Sequence, residues 1–323
     1  MQIFDKDKIY EFMKFRYIAF AVSLILVIGS LFLFFYKGFN YGIDFSGGTL
    51  IQVKYDQKAP LDVIRAKFNE TGKFTGVNVT EFGSDSEVTI RYSSATSSLG
   101  ESPGLMAQEI LKGTGNFEIR KVDIVGPKVG DELRQKGIMA VTISFILILI
   151  YIAIRFEWRF ALAAIISEFH DIIIAVGAII LFQVDFNLEI LAALLTILGY
   201  SLNDTIVVFD RIREGVRTSK ATDVAKVIDE SISHTLSRTL LTSFTTLMVV
   251  VILFVWGGEM IHGFSLVMLV GVIIGTYSSI FIAAPMLIFF KFDVVKYRNL
   301  LAEKQRRVRE KEKIRAMYEK GAV

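Results

Sequence analysis

Asp204 sits in a stretch, Leu188 to Phe209, that is otherwise nearly free of charge. Thr196, Gly199, Tyr200 and Asn203 precede it at spacings that put all five on one face of one helix. Arg238 heads a second apolar stretch, Thr239 to Trp256, and Thr242 and Thr245 continue its face in the same way. A third group, Ser167, Glu168, His170 and Asp171, interrupts the apolar run Phe160 to Phe182. Bringing an ionisable side chain into a bilayer costs about 2.5–3.5 kcal/mol, so each of these needs a partner or a wet cavity. A buried carboxylate that loses a cationic partner is driven to take up a proton, so the chemistry expected here is proton carrying.

Depth decides which groups can meet. Asp204 lies five residues before Phe209, roughly 8 Å from that end of its helix at ~1.5 Å per residue. Arg238 starts the next helix from the same side and its side chain reaches a further ~6 Å, so an Asp204–Arg238 pair is feasible. Two plainer roles stay open: Arg238 as an anchor that snorkels to the aqueous side, and Asp204 as a structural hydrogen-bonding partner of Asn203 or Tyr200. Glu168, His170 and Asp171 form a secondary polar cluster; at 100° per residue at least one should point to the lipid boundary or a subunit contact. His170, His234 and His262 fall at different depths, which argues against a metal site. The chain has no cysteine, hence no thiolate nucleophile and no disulfide framework, and its net charge of +3 gives no basis for nucleic-acid binding. No cofactor pattern emerges.

The elements that must position these residues follow from hydropathy. With 53% hydrophobic residues and a mean hydropathy of +0.50, the 323-residue chain is too apolar for an ordinary soluble protein. Six runs are long enough to span: Tyr17 to Tyr36, Ile138 to Ile154, Phe160 to Phe182, Leu188 to Phe209, Thr239 to Trp256 and Ile261 to Phe290. The first, lacking a small-x-small cleavage site before Lys37, reads as an uncleaved signal anchor. Lys and Arg crowd the stretch 210–238 and the tail 291–323 and are missing from Gln183 to Asn187 and Gly257 to His262. The positive-inside rule then places the N-terminal segment 1–16, the 210–238 connector and the basic tail in the cytoplasm. Within the connector Val224, Val227, Ile228 and Ile232 recur at helical spacing, predicting an amphipathic helix along the inner surface, or else a plain connector helix. In the last span Gly271, Gly275, Ser279 and Ala283 make a small-xxx-small seam for close helix packing.

Between the first span (17–36) and the remaining five (138–290), residues 37–137 are long enough for an extracytoplasmic domain. Thr49 to Tyr55, Gly76 to Phe82, Glu87 to Tyr92 and Phe117 to Val125 read as strands, and Leu61 to Asn69 and Leu105 to Lys112 as helices. That βαββαβ order is the ferredoxin-like split pattern, an α+β fold. The domain has neither histidine nor cysteine and nothing in it resembles a catalytic set, so a binding or lever domain is expected and not an enzyme.

Just before the first strand stands Gly42-Ile43-Asp44-Phe45-Ser46-Gly47-Gly48-Thr49. A glycine-rich phosphate cradle would need a helix next, whereas a strand follows, so locally this is a tight turn. The segment Asp44, Phe45, Gly47, Gly48 and Thr49 resembles the D-F-x-G-G-T signature after the first span of the SecD/SecF family, within the resistance-nodulation-division superfamily. The run Gly199 to Glu214 and the run His234 to Thr239 resemble the same family, and the likeness extends from the first span to the sixth. It implies a bacterial or archaeal cytoplasmic membrane protein, half of a twelve-span unit. A SecD partner would then lie on a separate chain, and the two would help SecYEG export unfolded polypeptide with the proton motive force. It also implies that Asp204 and Arg238 match the family's proton-pathway carboxylate and arginine. Membrane lipid and protons complete the partners. A half-size proton-coupled exporter of lipid or a small molecule, and a scaffold whose charges serve only docking, are the alternatives.

Overall fold

The computed structural model describes residues 8–94 and 102–319. A 3-10 turn, Phe12–Phe15, leads into α1 (Arg16–Tyr36), and the chain then builds a four-stranded domain before returning to the bundle. The domain runs α2 (Ile43–Ser46), β1 (Gly48–Tyr55), α3 (Leu61–Glu70), β2 (Phe74–Phe82), β3 (Ser84–Ser94), α4 (Pro103–Ile110) and β4 (Phe117–Val125). The sheet order is β2-β3-β1-β4, every pairing antiparallel, which is the split βαββαβ arrangement expected. Strand periodicity makes its core: Ile51, Val53 and Tyr55 of β1 and Val88, Ile90 and Tyr92 of β3 turn to one face. There they meet Ile64 and Phe68 of α3, Ala107 of α4 and Leu111 just beyond it.

The remaining spans are α5 (Pro127–Arg155), α6 (Trp158–Leu181), α7 (Leu188–Thr218), α8 (Val224–Trp256) and α9 (Glu259–Ser278). The last continues through a π turn, Ser279–Ala283, into α10 (Ala284–Phe289), and α11 (Val294–Glu319) follows as the tail. Pro285 has no N–H to give the carbonyl one turn back, and the ladder is re-registered just ahead of it. Among the described residues six helices, counting α9 to α10 as one, are long and apolar enough to cross a membrane. The apolar stretches of α6, α7 and α9–α10 are 56%, 50% and 56% buried, against 17% or less for α1, α5 and α8, so the first three form the bundle's interior. The seam works as expected: a Cβ on Gly271 would run into Ile197, and one on Gly275 would meet the Ser201 Cβ at 3.0 Å, so α9 lies close on α7.

One expectation is corrected. Val224, Val227, Ile228 and Ile232 do not form a separate surface helix; they open α8 itself, which runs unbroken for 33 residues. Val227, Ile228 and Ile232 are buried against Val216 and Ile212 of α7, so the stripe faces protein and not the membrane surface. What remains between α7 and α8 is Ser219–Asp223. There Asp223 caps α8 at the Ala225 N–H, and Arg298 of α11 donates to the carbonyls of Val216 (2.5 Å), Ser219 and Ala221 (both 2.7 Å). A guanidinium at the C-terminal carbonyls of α7 also complements the helix dipole and ties the tail to the bundle. At the same end Asp229 accepts from the Met13 N–H (2.9 Å), and Arg155 pairs with Asp210 at 2.5 Å.

Candidate functional site in the bundle interior

Asp204 is buried, 3% exposed, while its neighbour Asn203 is exposed: adjacent residues are 100° apart, and the boundary of the bundle passes between them. The predicted polar face of α7 is thus split. Thr196, Gly199 and Asn203 look outward, Tyr200 lies at the boundary with its hydroxyl covered and unpartnered, and Asp204 turns inward. Asp204 Oδ2 accepts from Ser243 Oγ of α8 at 3.2 Å and from Thr276 Oγ1 of α9 at 3.5 Å, and Thr276 in turn donates to Ser243 at 2.8 Å. Among the described residues, the side chains that hydrogen-bond to this carboxylate are these two hydroxyls.

The expected Asp204–Arg238 pair does not form. Ser243 is the α8 residue that meets Asp204, and Arg238, five residues earlier, points about 140° away around the helix. Arg238 is exposed, as are Thr242 and Thr245, so the polar face expected on α8 exists but looks out of the bundle. Nor do Asn203 and Tyr200 hold Asp204 by hydrogen bonds. The donors that do, Ser243 and Thr276, escaped sequence reasoning because single hydroxyls abound on both helices and only the packing selects among them.

In α6 the outcome also differs from expectation. Glu168, His170 and Asp171 are all buried, at 1%, 7% and 1% exposure. They span about 160° of arc, and α1, α7 and α9 all pack against α6. The outward direction is taken by Phe169. Asp171 accepts at Oδ1 from His170 Nδ1 (2.8 Å) and at Oδ2 from Ser278 Oγ (2.6 Å) and Ser201 Oγ.

The glycine-rich turn lies at the other end of α7. Asp44 Oδ2 accepts from the Leu188 N–H at 3.0 Å, so it caps the first turn of α7 from 144 residues away, beside the local cap Asn187. Phe45 stacks on Phe186, and Gly42 N–H donates to Phe186 O while Phe186 N–H donates to Asn40 O. From the sheet, Arg91 reaches Asp185 (3.3 Å), Asn40 Oδ1 (2.8 Å) and Tyr41 O (2.7 Å), and Asn40 also donates to Asp185. Burial holds the Asp185 carboxyl above its ordinary range even beside that guanidinium. The glycines are needed sterically. Gly47 (φ +67°) and Gly48 (φ +124°) adopt left-handed backbone, and a Cβ on Gly48 would stand 2.7 Å from Tyr92 O. The helix that carries Asp204 is therefore bolted at its start to the soluble domain.

These features define a class: a six-span helical membrane protein with a small α+β domain locked to the head of the helix that buries an ionisable residue. The family described as "Protein export membrane protein SecD/SecF, C-terminal" matches residues 106–293, and the "SecD/SecF GG Motif" matches 32–59, the turn just described. The protein translocase subunit SecF of Helicobacter pylori is 48% identical over the full length of both chains. That of Vibrio alginolyticus is 46% identical over 88% of this chain and 91% of its own. Among solved structures, SecDF of Thermus thermophilus, described as translocon-associated, superposes with TM-score 0.81 at 34% identity over 90% of this chain. SecDF in a super-membrane-facing form gives 0.66 at 31% identity over 97%. The chain spans about two fifths of those SecDF chains, 40% and 41%. It belongs to the SecD/SecF family of protein-export membrane proteins, and its function is that of a SecDF-type protein translocase subunit.

Proposed function

We propose that this chain forms one half of a proton-driven export motor in a bacterial or archaeal cytoplasmic membrane, completed by a SecD-type chain and working beside the SecYEG translocon. The observation that carries it is Asp204. It is a carboxylate buried among hydroxyls, one residue from a polar stripe of Asn203, Arg238, Thr242 and Thr245 that this chain leaves uncovered in its apolar zone. Uncovered polar and charged side chains at that depth call for a second protein surface. The length relation to SecDF, where this chain corresponds to two fifths of a longer one, supports the same reading.

Both termini lie in the cytoplasm and the domain outside, in keeping with the lysines and arginines at 210–238 and in the tail. Proton binding and release at the Asp204–Arg238 region, with Asn203 and Tyr200 beside it, shifts α7. The contacts of Asp44, Phe45 and Arg91 carry that shift to the domain, which acts on the emerging unfolded polypeptide. The test is precursor translocation into vesicles holding SecYEG, the SecD-type chain and this chain, with the gradient present or collapsed by an uncoupler. Faster completion of the late, ATP-independent stage only with the gradient supports the reading. Equal completion in both conditions overturns it.

A further inference from the structure

Asp171 has more donors than a structural carboxylate needs. His170 Nδ1, Ser201 Oγ and Ser278 Oγ converge on its two oxygens, supplying the partners that a buried carboxyl group requires. Glu168 is the reverse. One turn earlier on the same side of α6 as Asp171, it is 1% exposed, and both of its carboxyl oxygens are buried without a hydrogen-bond partner. Two like charges so placed cannot both be kept in a low-dielectric interior, and the hydroxyl beside the second, Ser201, gives its proton to Asp171.

The surroundings supply no counter-charge. From α7 the ionisable groups facing this region are Tyr200 and Asp204; from α9, Tyr277, whose ring stacks by His170 and whose hydroxyl donates to Ala19 O of α1. Within the apolar stretches 18–35 of α1 and 160–181 of α6, and in the π turn and α10, there is no other ionisable side chain, and the apolar stretch 138–154 of α5 contributes Tyr151. Ser201, a donor to Asp171, is one helical turn from Asp204 on α7, and Thr205 beside them has a buried, unpartnered hydroxyl. Ser278 enters the cluster where α9 passes into its π turn, an irregularity that recurs at functional sites.

We propose that Glu168, His170 and Asp171 form a second proton-binding site inside this chain, with Glu168 holding the proton as a neutral acid and Ser201 linking the site to Asp204. The proton is bound to a Glu168 oxygen while Asp171 carries the charge. Transfer to Asp171, or to His170 Nε2, breaks the Glu168 O–H bond and forms one O–H or N–H bond at the acceptor, so the total charge of the cluster is unchanged and the site stores and relays one proton. This deepens the export reading and rests on it for its purpose, though not for its existence.

The experiment is infrared difference spectroscopy on this chain with its SecD-type partner in liposomes, titrated through neutral pH in H2O and D2O, for the parent, E168Q, E168D and D204N. The expected result is a protonated-carboxyl C=O band at neutral pH that shifts in D2O, is lost in E168Q, returns displaced in E168D, and moves its titration midpoint in D204N. The E168D arm separates loss of the acid from failure to fold. An unchanged band in E168Q, or no band in a folded parent, overturns the proposal. If the band behaves as stated while export ignores the gradient, the site stands and the export reading falls; the opposite pair of results removes only the site.

Discussion

At the residue scale, helical rotation governs what each side chain does. Arg238 and Ser243 are on the same helix, yet one faces out and the other meets Asp204, so under the proposed function Arg238 would act against a neighbouring chain. An Arg that only anchored the helix end would be replaced fully by Lys, since both snorkel. A fork of donors against a partner's carboxylate would not be. We expect export to fall in the order Arg, Lys, Ala at position 238 with membrane insertion unchanged. Arg238→Ala should also weaken assembly by about 2–5 kcal/mol if the partner's charge is left buried. Export rates and copurification of the SecD-type chain measure both; equal rates for Arg238→Lys and the parent would return Arg238 to a plain anchor. The polar groups themselves were legible in the sequence, because ionisable residues in apolar runs stand out at once. Their pairing was not. A depth argument fixes height along the bilayer normal but leaves the angle around each helix free, and the angle kept Asp204 from Arg238 and buried Glu168, His170 and Asp171 together.

At the scale of elements, α7 is the member that joins the two parts of the protein. Its first turn is capped by Asp44 and its last by Arg298, contacts that come from 144 and 82 residues away in sequence. Asp44→Ala should cost about 0.5–2 kcal/mol of local stability and depress export, whereas Asp44→Asn, which still caps, should retain most of both. Thermal unfolding in detergent and translocation assays would decide, and an Ala variant equal to the parent would sever the proposed link. Gly48→Ala must force a side chain into the Tyr92 carbonyl at a left-handed φ, and about 1–3 kcal/mol of strain should appear as faster proteolysis of the domain in intact vesicles. Resistance equal to the parent would show that the turn can relax. Strands and domain helices followed from their periods of 2 and 3.6 and the spans from the length of their apolar runs, and the strand order matched the split pattern. The amphipathic stripe at Val224 to Ile232 misled because a face buried against protein and a face laid on lipid have the same periodicity. The cap by Asp44 left no local signal: a turn before a strand says nothing about a helix that begins in another part of the chain.

At the scale of the molecule, the proposed function seats a second chain on the exposed polar residues of α7 and α8. The sequence contains no cysteine, and a photo-crosslinking residue at Asn203 or Thr242 gives a direct reading. Both positions should crosslink the SecD-type chain, while Ile25, exposed on α1 beyond α6 from that face, should not. Crosslinking from Ile25 alone would place the partner on the wrong side of the bundle for this account. In the proposed function the whole works as a lever: a proton taken up or lost near Asp204 would move a helix whose far end is fastened to the four-stranded domain. The most direct test is Asp204→Asn, which keeps the shape and hydrogen-bonding capacity of the side chain but cannot cycle a charge. Gradient-driven precursor translocation would be measured in vesicles carrying the fully assembled complex. The account predicts normal assembly, normal ATP-driven translocation and loss of the gradient-dependent stage. Full gradient-driven export by the Asn variant would contradict it.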